Sequence, residues 1–180
     1  MGDFALIRGE KVVLRAIEAS DVEKLWNWQQ DEEVMRLRDY PSPPRSYAEV
    51  EREYTGTESE TDRIRLGIMT TEGILIGEIS LANMERRVGD AELTIFIGDK
   101  AFWGRGYGSD AVRAMCKYAF EQMNLHRVTL FVHAENFRAI KAYEKCGFIE
   151  EGRAREAEYM DGRYSDIVSM GLLRDELKQG

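Results

Sequence analysis

Apolar positions recur along this chain with two periods. Over residues 63–69 and 74–81 apolar and polar or small residues alternate, the two-residue period of half-buried strands, and Glu72-Gly73 between them reads as a hairpin turn. Leu93, Thr94, Ile95, Phe96 and Ile97 are apolar and β-branched enough for another strand. Behind it, Ala111, Val112, Met115, Ala119, Phe120 and Met123 return at helical spacing, with Asp110, Arg113, Lys117 and Glu121 on the opposite face. A polar stretch over 85–90 leads into the strand that ends at Ile97, and connections this short make that part of the sheet antiparallel.

The flanks follow the same logic. Residues 11–17 predict an opening strand. Ser20 or Asp21 can cap a helix carrying Val22, Leu25, Trp26 and Trp28, and a second helical piece starts near Asp31 with Val34, Met35 and Leu37. The prolines at 41, 43 and 44 demand an irregular connection. Residues 46–54 predict a helix in which Ser46 and Glu49 have capping-box spacing. A strand follows at 127–132, then a short helix capped by Asn136 and closed by Gly147-Phe148. The tail predicts a hairpin: a strand over 157–160, a turn at Asp161-Gly162 and a strand over 164–173. The whole describes one α/β (α+β) domain over residues 1–180, with a mixed, mostly antiparallel central sheet and helices on both faces.

Composition narrows the function. The 180 residues, 43% hydrophobic and 10% aromatic, suffice for one well-packed core. A net charge of -8 disfavours a nucleic-acid binder, whose footprint would be basic, and suits a cationic partner. Cys116 and Cys146 form no disulfide framework, and His126 and His133 lack metal-ligand spacing, so no metal is expected. No basic leader precedes an apolar run and no stretch approaches 18 apolar residues, which predicts a cytoplasmic protein without a membrane partner.

The candidate chemistry centres on Trp103-Gly104-Arg105-Gly106-Tyr107-Gly108, between a strand and a long helix. Glycines there admit a close ligand, and the first N–H groups of a helix attract an anion. A Walker loop is excluded, because no G-K-[ST] closes it. A dinucleotide turn is satisfied formally by Gly106 to Ala111, yet antiparallel strands fill the half of the chain before it, and too little follows for a second nucleotide-binding half. A tight turn with no ligand is the remaining bland reading.

Residues 92–148 resemble the GNAT superfamily of acetyl-CoA-dependent N-acetyltransferases, and more closely its RimJ/RimL-like branch. Gly106 and Gly108 fill the glycine positions of [Q/R]-x-x-G-x-[G/A], with Trp103 where many members carry Gln or Arg. A second block, Asn136 to Phe148, resembles N-x-x-A-x-x-x-Y-x-x-x-G-F, and the tail from Tyr159 to Asp166 is similar to spermidine acetyltransferases of that branch.

That resemblance implies acetyl-CoA as co-substrate, with no metal. It places the coenzyme against Phe96, Ile97, Gly98, Gly104, Arg105, Gly106, Tyr107, Gly108, Ser109, Asn136 and Ala139. Tyr143 becomes the acid for the leaving thiolate. Asn136, Ile140 and Tyr143 share one helix face, and Asn136 can both cap its helix and bond the pantetheine arm. An alkyl amine with a pKa of about 10 arrives protonated and must lose a proton. Glu92 is the candidate base or acceptor-binding group, with Glu78 behind it. Trp26, Trp28, Asp31, Glu32 and Glu33 fall in the region that walls the acceptor site in the family. The acceptor is a small-molecule or peptide amine: a protein N-terminal amine or a polyamine, with antibiotic and amino-acid amines still open. A homodimer or higher homo-oligomer is compatible with the branch. The rival class is a non-catalytic CoA-binding or sensor domain.

Overall fold

The computed structural model describes residues 6–37, 43–56, 63–85, 87–160 and 162–179. The expectations for the start of the chain, for Pro41, for residue 86 of the polar stretch and for Asp161 of the tail turn lie outside the described residues. Among the described residues eight strands make one sheet in the order β1-β2-β3-β4-β5-β6-β8-β7. They are β1 (Ile7–Arg8), β2 (Val12–Arg15), β3 (Ile64–Thr70), β4 (Leu75–Glu85), β5 (Asp90–Ile97), β6 (Arg127–His133), β7 (Ile149–Met160) and β8 (Arg163–Leu173). Helices α1 (Val22–Gln29), α2 (Glu32–Leu37) and α3 (Tyr47–Thr55) precede β3; α4 (Tyr107–Glu121) joins β5 to β6, and α5 (Phe137–Cys146) follows β6. Among the described residues only the β5–β6 pair is parallel. A doubly wound parallel sheet, which the dinucleotide reading needs, is not what this chain builds.

The two faces of the sheet bury different sets of residues. Along β5, Leu93, Ile95 and Ile97 belong to the large core, whereas Phe96 packs with the smaller one, as alternation in a strand requires. The large core holds α4 through Ala111, Val112, Met115, Cys116, Ala119 and Phe120, all at most 2% exposed. Burying a side chain of this kind contributes roughly 1.5–3 kcal/mol for the larger members. On the other face Leu25, Trp28 and Val34 of α1 and α2 pack with Leu75 and Phe96.

Several elements differ from expectation for identifiable reasons. Residue Asp21 does not cap α1 with its side chain; its carboxylate instead accepts from Arg15 Nη1 at 2.6 Å and from the Glu18 N–H at 2.8 Å. Strand β1 is only two residues long, too short for a pattern. It is fixed by Asp110 at the start of α4, which accepts from the N–H groups of Glu10, Lys11 and Val12 at 3.1, 2.8 and 3.1 Å. Strand β7 begins at Ile149, well before 157; residues 149–156 are mostly charged and exposed on both faces, so no apolar alternation marked the start. As an outer strand it is held by its ladder to β8 rather than by an apolar face. Ser46 caps α3 as predicted, with the reciprocal Glu49 bond to the Ser46 N–H at 2.8 Å.

Candidate active site

The parallel pair is short. β5 and β6 are in register only over Asp90, Ala91 and Glu92 against Arg127, Val128 and Thr129. Beyond that, β5 keeps its ladder to β4 as far as Ile97 and β6 keeps its ladder to β8 as far as His133. Between them the sheet splays. Among the described residues no strand pairing bridges the gap beyond Glu92 and Thr129, so a ligand can approach the sheet between the two strands.

Two clefts meet in this splay. The larger, about 370 Å³, runs from the glycine turn along α5; the smaller, about 120 Å³, opens between β5 and β6. Ile95, Phe96, Asn136 and Tyr143 line both. A molecule in either cleft therefore reaches the same four residues.

The turn that closes the larger cleft depends on its glycines. Gly104 and Gly106 have φ of 70° and 86°, the left-handed region, and Gly106 is the residue from which α4 starts. The first helical bond runs from the Asp110 N–H to Gly106 O at 3.0 Å, so the N–H groups of Tyr107, Gly108 and Ser109 have no acceptor within the helix. Trp103 holds the turn against the strand, its Nε1 donating to Ile97 O at 2.6 Å. Arg138 lies over the Trp103 ring at 4.7 Å. Lys11 donates to Arg105 O at 3.1 Å, which brings its charge beside Gly106.

Sequence reasoning missed part of this rim. Arg138, Lys141 and Lys145 of α5 line the same cleft and surround an anion site with cations. Their spacing of three and four residues was the available signal, since it puts them on one helical face. Asp110, the one acid in the first turn of α4, is turned away into its bonds with the β1–β2 turn.

The predicted coenzyme residues separate into two groups. Phe96, Ile97, Gly104, Gly106, Tyr107, Gly108, Ser109, Asn136 and Ala139 line the larger cleft. Gly98 and Arg105 are not among its lining residues. The close approach at Gly98 is made by Trp28: a Cβ there would fall 2.1 Å from Trp28 Cδ2. The Gly98 N–H is already given to Ile76 O at 2.9 Å. Arg105 instead lies near the Phe102 and Tyr107 rings, with Nη1 donating to Ala101 O at 3.3 Å. Asn136 caps α5, accepting from the Ala139 N–H at 3.1 Å. Ala139 thus offers the cleft its methyl group rather than its amide.

The two candidate carboxylates also part company. Glu92 is in the paired region opposite Thr129, takes a bond from Asn83 Nδ2 at 2.8 Å, and lies outside the lining of both clefts. Glu78, 6% exposed, lines the smaller cleft with Tyr143. It accepts from the Tyr54 hydroxyl and lies 3.6 Å from Arg65 Nε. Trp26 and Trp28 are packing residues: Trp26 Nε1 donates to Arg45 O at 3.0 Å, and Trp28 meets Phe96 edge-on at 6.1 Å. Asp31 and Glu33 bind Lys100 at 2.7 and 3.0 Å, tying α2 to the segment after β5.

Neither cysteine is placed for nucleophilic work. Burial raises the thiol pKa of both, most strongly for Cys116, and outweighs the opposing pull of Arg113 on Cys146. Cys146 Sγ donates to Ser109 O at 3.4 Å, behind the glycine turn. Among the described residues no cluster of three or more metal-ligating side chains occurs, and no helix is long and apolar enough to cross a membrane.

Comparison with known proteins agrees with this geometry. The family model for an acetyltransferase (GNAT) domain matches residues 11–149. A spermidine N(1)-acetyltransferase of Vibrio cholerae is 29% identical over 166 residues, covering 92% of this chain and 95% of the relative. The putative ribosomal N-acetyltransferase YdaF of Bacillus subtilis is 31% identical over 177 residues, covering 93% of each chain. The crystal structure of the Vibrio cholerae spermidine N-acetyltransferase in complex with CoA and spermine superimposes with a TM-score of 0.85, at 29% identity over 92% of this chain and 97% of the other. A glycine turn at a helix start, a splayed parallel pair and these relatives lead to one conclusion: the chain belongs to the GNAT acetyltransferase family and is an acetyl-CoA-dependent N-acetyltransferase.

Proposed function

We propose that the enzyme acetylates a primary amine of a polyamine by direct attack on acetyl-CoA, with both substrates bound at once in the two clefts. The observation that carries this reading is the shared wall of Ile95, Phe96, Asn136 and Tyr143. The donor's phosphates are assigned to the N–H groups of Tyr107, Gly108 and Ser109 and to the cationic rim of α5. Asn136 uses its amide oxygen as a cap, which leaves its amide nitrogen for a carbonyl of the donor. The thioester then ends in the splay, where backbone N–H groups at the β5 edge can stabilise the developing oxyanion by on the order of 3 kcal/mol each.

In the transfer itself, the amine lone pair forms the new C–N bond as the C–S bond breaks. Tyr143 gives its proton to the departing thiolate. We assign the acceptor cation to Glu78 rather than Glu92, because Glu78 is the carboxylate that lines the cleft Tyr143 reaches. Polyamine as the acceptor is supported by that buried carboxylate, by the net charge of -8, and by the relatives named for spermidine. The YdaF relative favours a second reading, a protein N-terminal amine. Thiol release from acetyl-CoA with spermidine, an aminoglycoside and a free-N-terminal peptide decides between them. The expected order puts spermidine first by at least tenfold in kcat/KM. A peptide preferred by that margin overturns the polyamine assignment.

A further inference from the structure

Histidine 133 is the most buried titratable side chain of the smaller cleft that the transfer has not used. It ends β6, is 6% exposed, and lines that cleft beside Tyr143 and Glu78. Its Nδ1 is buried without a hydrogen-bond partner. Its Nε2 lies 3.1 Å from Glu158 Oε2, within ion-pair range but at an angle that falls short of a hydrogen bond. Glu158 reaches it from β7, across the intervening β8, and its own side chain is 11% exposed.

An unpartnered ring nitrogen in a buried site destabilises the free protein, so its presence calls for a partner that arrives with the substrate. In the tautomer with its proton on Nε2, the nitrogen 3.1 Å from Glu158, Nδ1 carries a bare lone pair and can only accept. The carboxylate behind it stabilises the imidazolium that forms when a proton is taken. The other charged or titratable groups around this ring are Glu78 on β4, held by Tyr54 and Arg65, Tyr143 on α5, and Asp166 on β8, which is committed to the Glu156 N–H at 3.0 Å and to Arg153 at 3.7 Å. On β5 the cleft offers only Leu93, Thr94, Ile95 and Phe96.

We propose that His133, oriented by Glu158, is the base that deprotonates the acceptor ammonium. This deepens the reading of the splay as the acceptor site and rests on it. The ammonium gives one proton to His133 Nδ1 and the freed amine attacks the thioester. The thiolate takes the Tyr143 proton, the phenolate recovers one from the nitrogen of the new amide, and the imidazolium releases its proton to solvent. One proton leaves per turnover. Glu158 is a positioning residue in this scheme.

The test uses the full chain at saturating acetyl-CoA, with kcat/KM for the amine measured from pH 6 to 9.5. Spermidine serves as acceptor, or the free-N-terminal peptide if that is the amine turned over, so failure of the polyamine reading is seen separately in the wild type. His133→Gln is expected to lose about 100-fold at pH 7, with CoA affinity unchanged. The wild-type acid limb should give way to a rise that follows the amine's own ionisation. Imidazole should restore His133→Ala at least tenfold. Glu158→Gln should lower kcat at least tenfold and leave the KM for the amine and the affinity for CoA unchanged, as expected of a residue that only positions the ring. Wild-type kcat/KM and an unaltered acid limb in His133→Gln overturn the proposal, as does the absence of imidazole rescue in a folded His133→Ala. If neither His133 variant folds, wild-type kcat in Glu158→Gln overturns it.

Discussion

The two clefts that meet at Tyr143 are built from different materials. The donor cleft is mostly backbone: left-handed glycines, the open N-terminus of α4 and the edge of β5 in the splay, with cations added only at the rim. The acceptor cleft is mostly side chain, from Glu78 on β4, Phe131 and His133 on β6 and Tyr143 on α5. A backbone site fixes a phosphate donor and leaves little to vary except by moving the chain. A side-chain site can be refitted to a new amine one substitution at a time. Specificity should therefore reside in the smaller cleft, and affinity for the donor in the larger.

The largest expected effect is at the shared wall. Tyr143→Phe should lower kcat by about 10²-fold or more while CoA affinity, read by calorimetry, stays within about twofold. Unchanged turnover would remove the acid from the scheme and revive a non-catalytic or differently catalysed role.

The glycines sharpen the contrast between a ligand's demand and the fold's demand. At Gly108 a Cβ would meet only Ile97 Cγ1, at 3.8 Å, and φ is ordinary, so Gly108→Ala fits the free protein. Its melting temperature should hold or rise, because Ala restricts the unfolded chain. The KM for acetyl-CoA should nevertheless increase about tenfold, the equivalent of ~1.4 kcal/mol. Gly98→Ala is the mirror case: its methyl would overlap the Trp28 ring, and about 1–3 kcal/mol of stability should be lost by overpacking, seen in denaturant melts. Equal behaviour of the two variants would erase the distinction between donor-facing and core-facing glycines.

Glu78→Gln should act on the other cleft. It keeps a side chain that Tyr54 can bond but removes the charge, and the KM for the polyamine should rise about tenfold, the equivalent of ~1.4 kcal/mol. The KM for acetyl-CoA should not move. A change confined to acetyl-CoA would put Glu78 on the wrong side of the splay.

The smallest effect concerns the wall behind Glu78. Burial works to raise the Glu53 carboxyl, but the Arg45 hydrogen bond and the charges of Arg65 and Arg45 outweigh it and hold its pKa below the ordinary value. A group depressed in the folded state stabilises above its unfolded pKa of about 4.3 and loses that contribution as pH falls through the folded value. Acid scans should thus show a drop in melting temperature beginning near that pH, and Glu53→Gln should flatten it by about 2–4 °C. A variant with the wild-type acid profile would show that Glu53 does not couple α3 to β3.

The same division explains what could be read in the sequence. The glycine turn was legible because a short contiguous motif carries it, with Trp103, Gly104, Gly106 and Gly108 in one stretch. Its dependence on Asp110 and Lys11 was not, because those bonds join residues about a hundred positions apart. The acceptor cleft was only half legible. Glu78 and Glu92 are both strand residues next to the splay, and nothing local says that pairing to β6 stops just past Glu92. His133 appeared as an isolated histidine, because its partner Glu158 is on a strand whose charged pattern hid its start. Gly98 was assigned to the coenzyme by the resemblance, and its place at a strand end is compatible with a close approach, yet which group approaches is decided by tertiary packing, here Trp28.

The account rests on both clefts being filled together and on acetyl passing directly from thiol to amine. Initial rates over a matrix of acetyl-CoA and spermidine concentrations test this most directly. A ternary complex predicts double-reciprocal lines that intersect. Parallel lines, the mark of an acetylated enzyme formed before the amine binds, would contradict it.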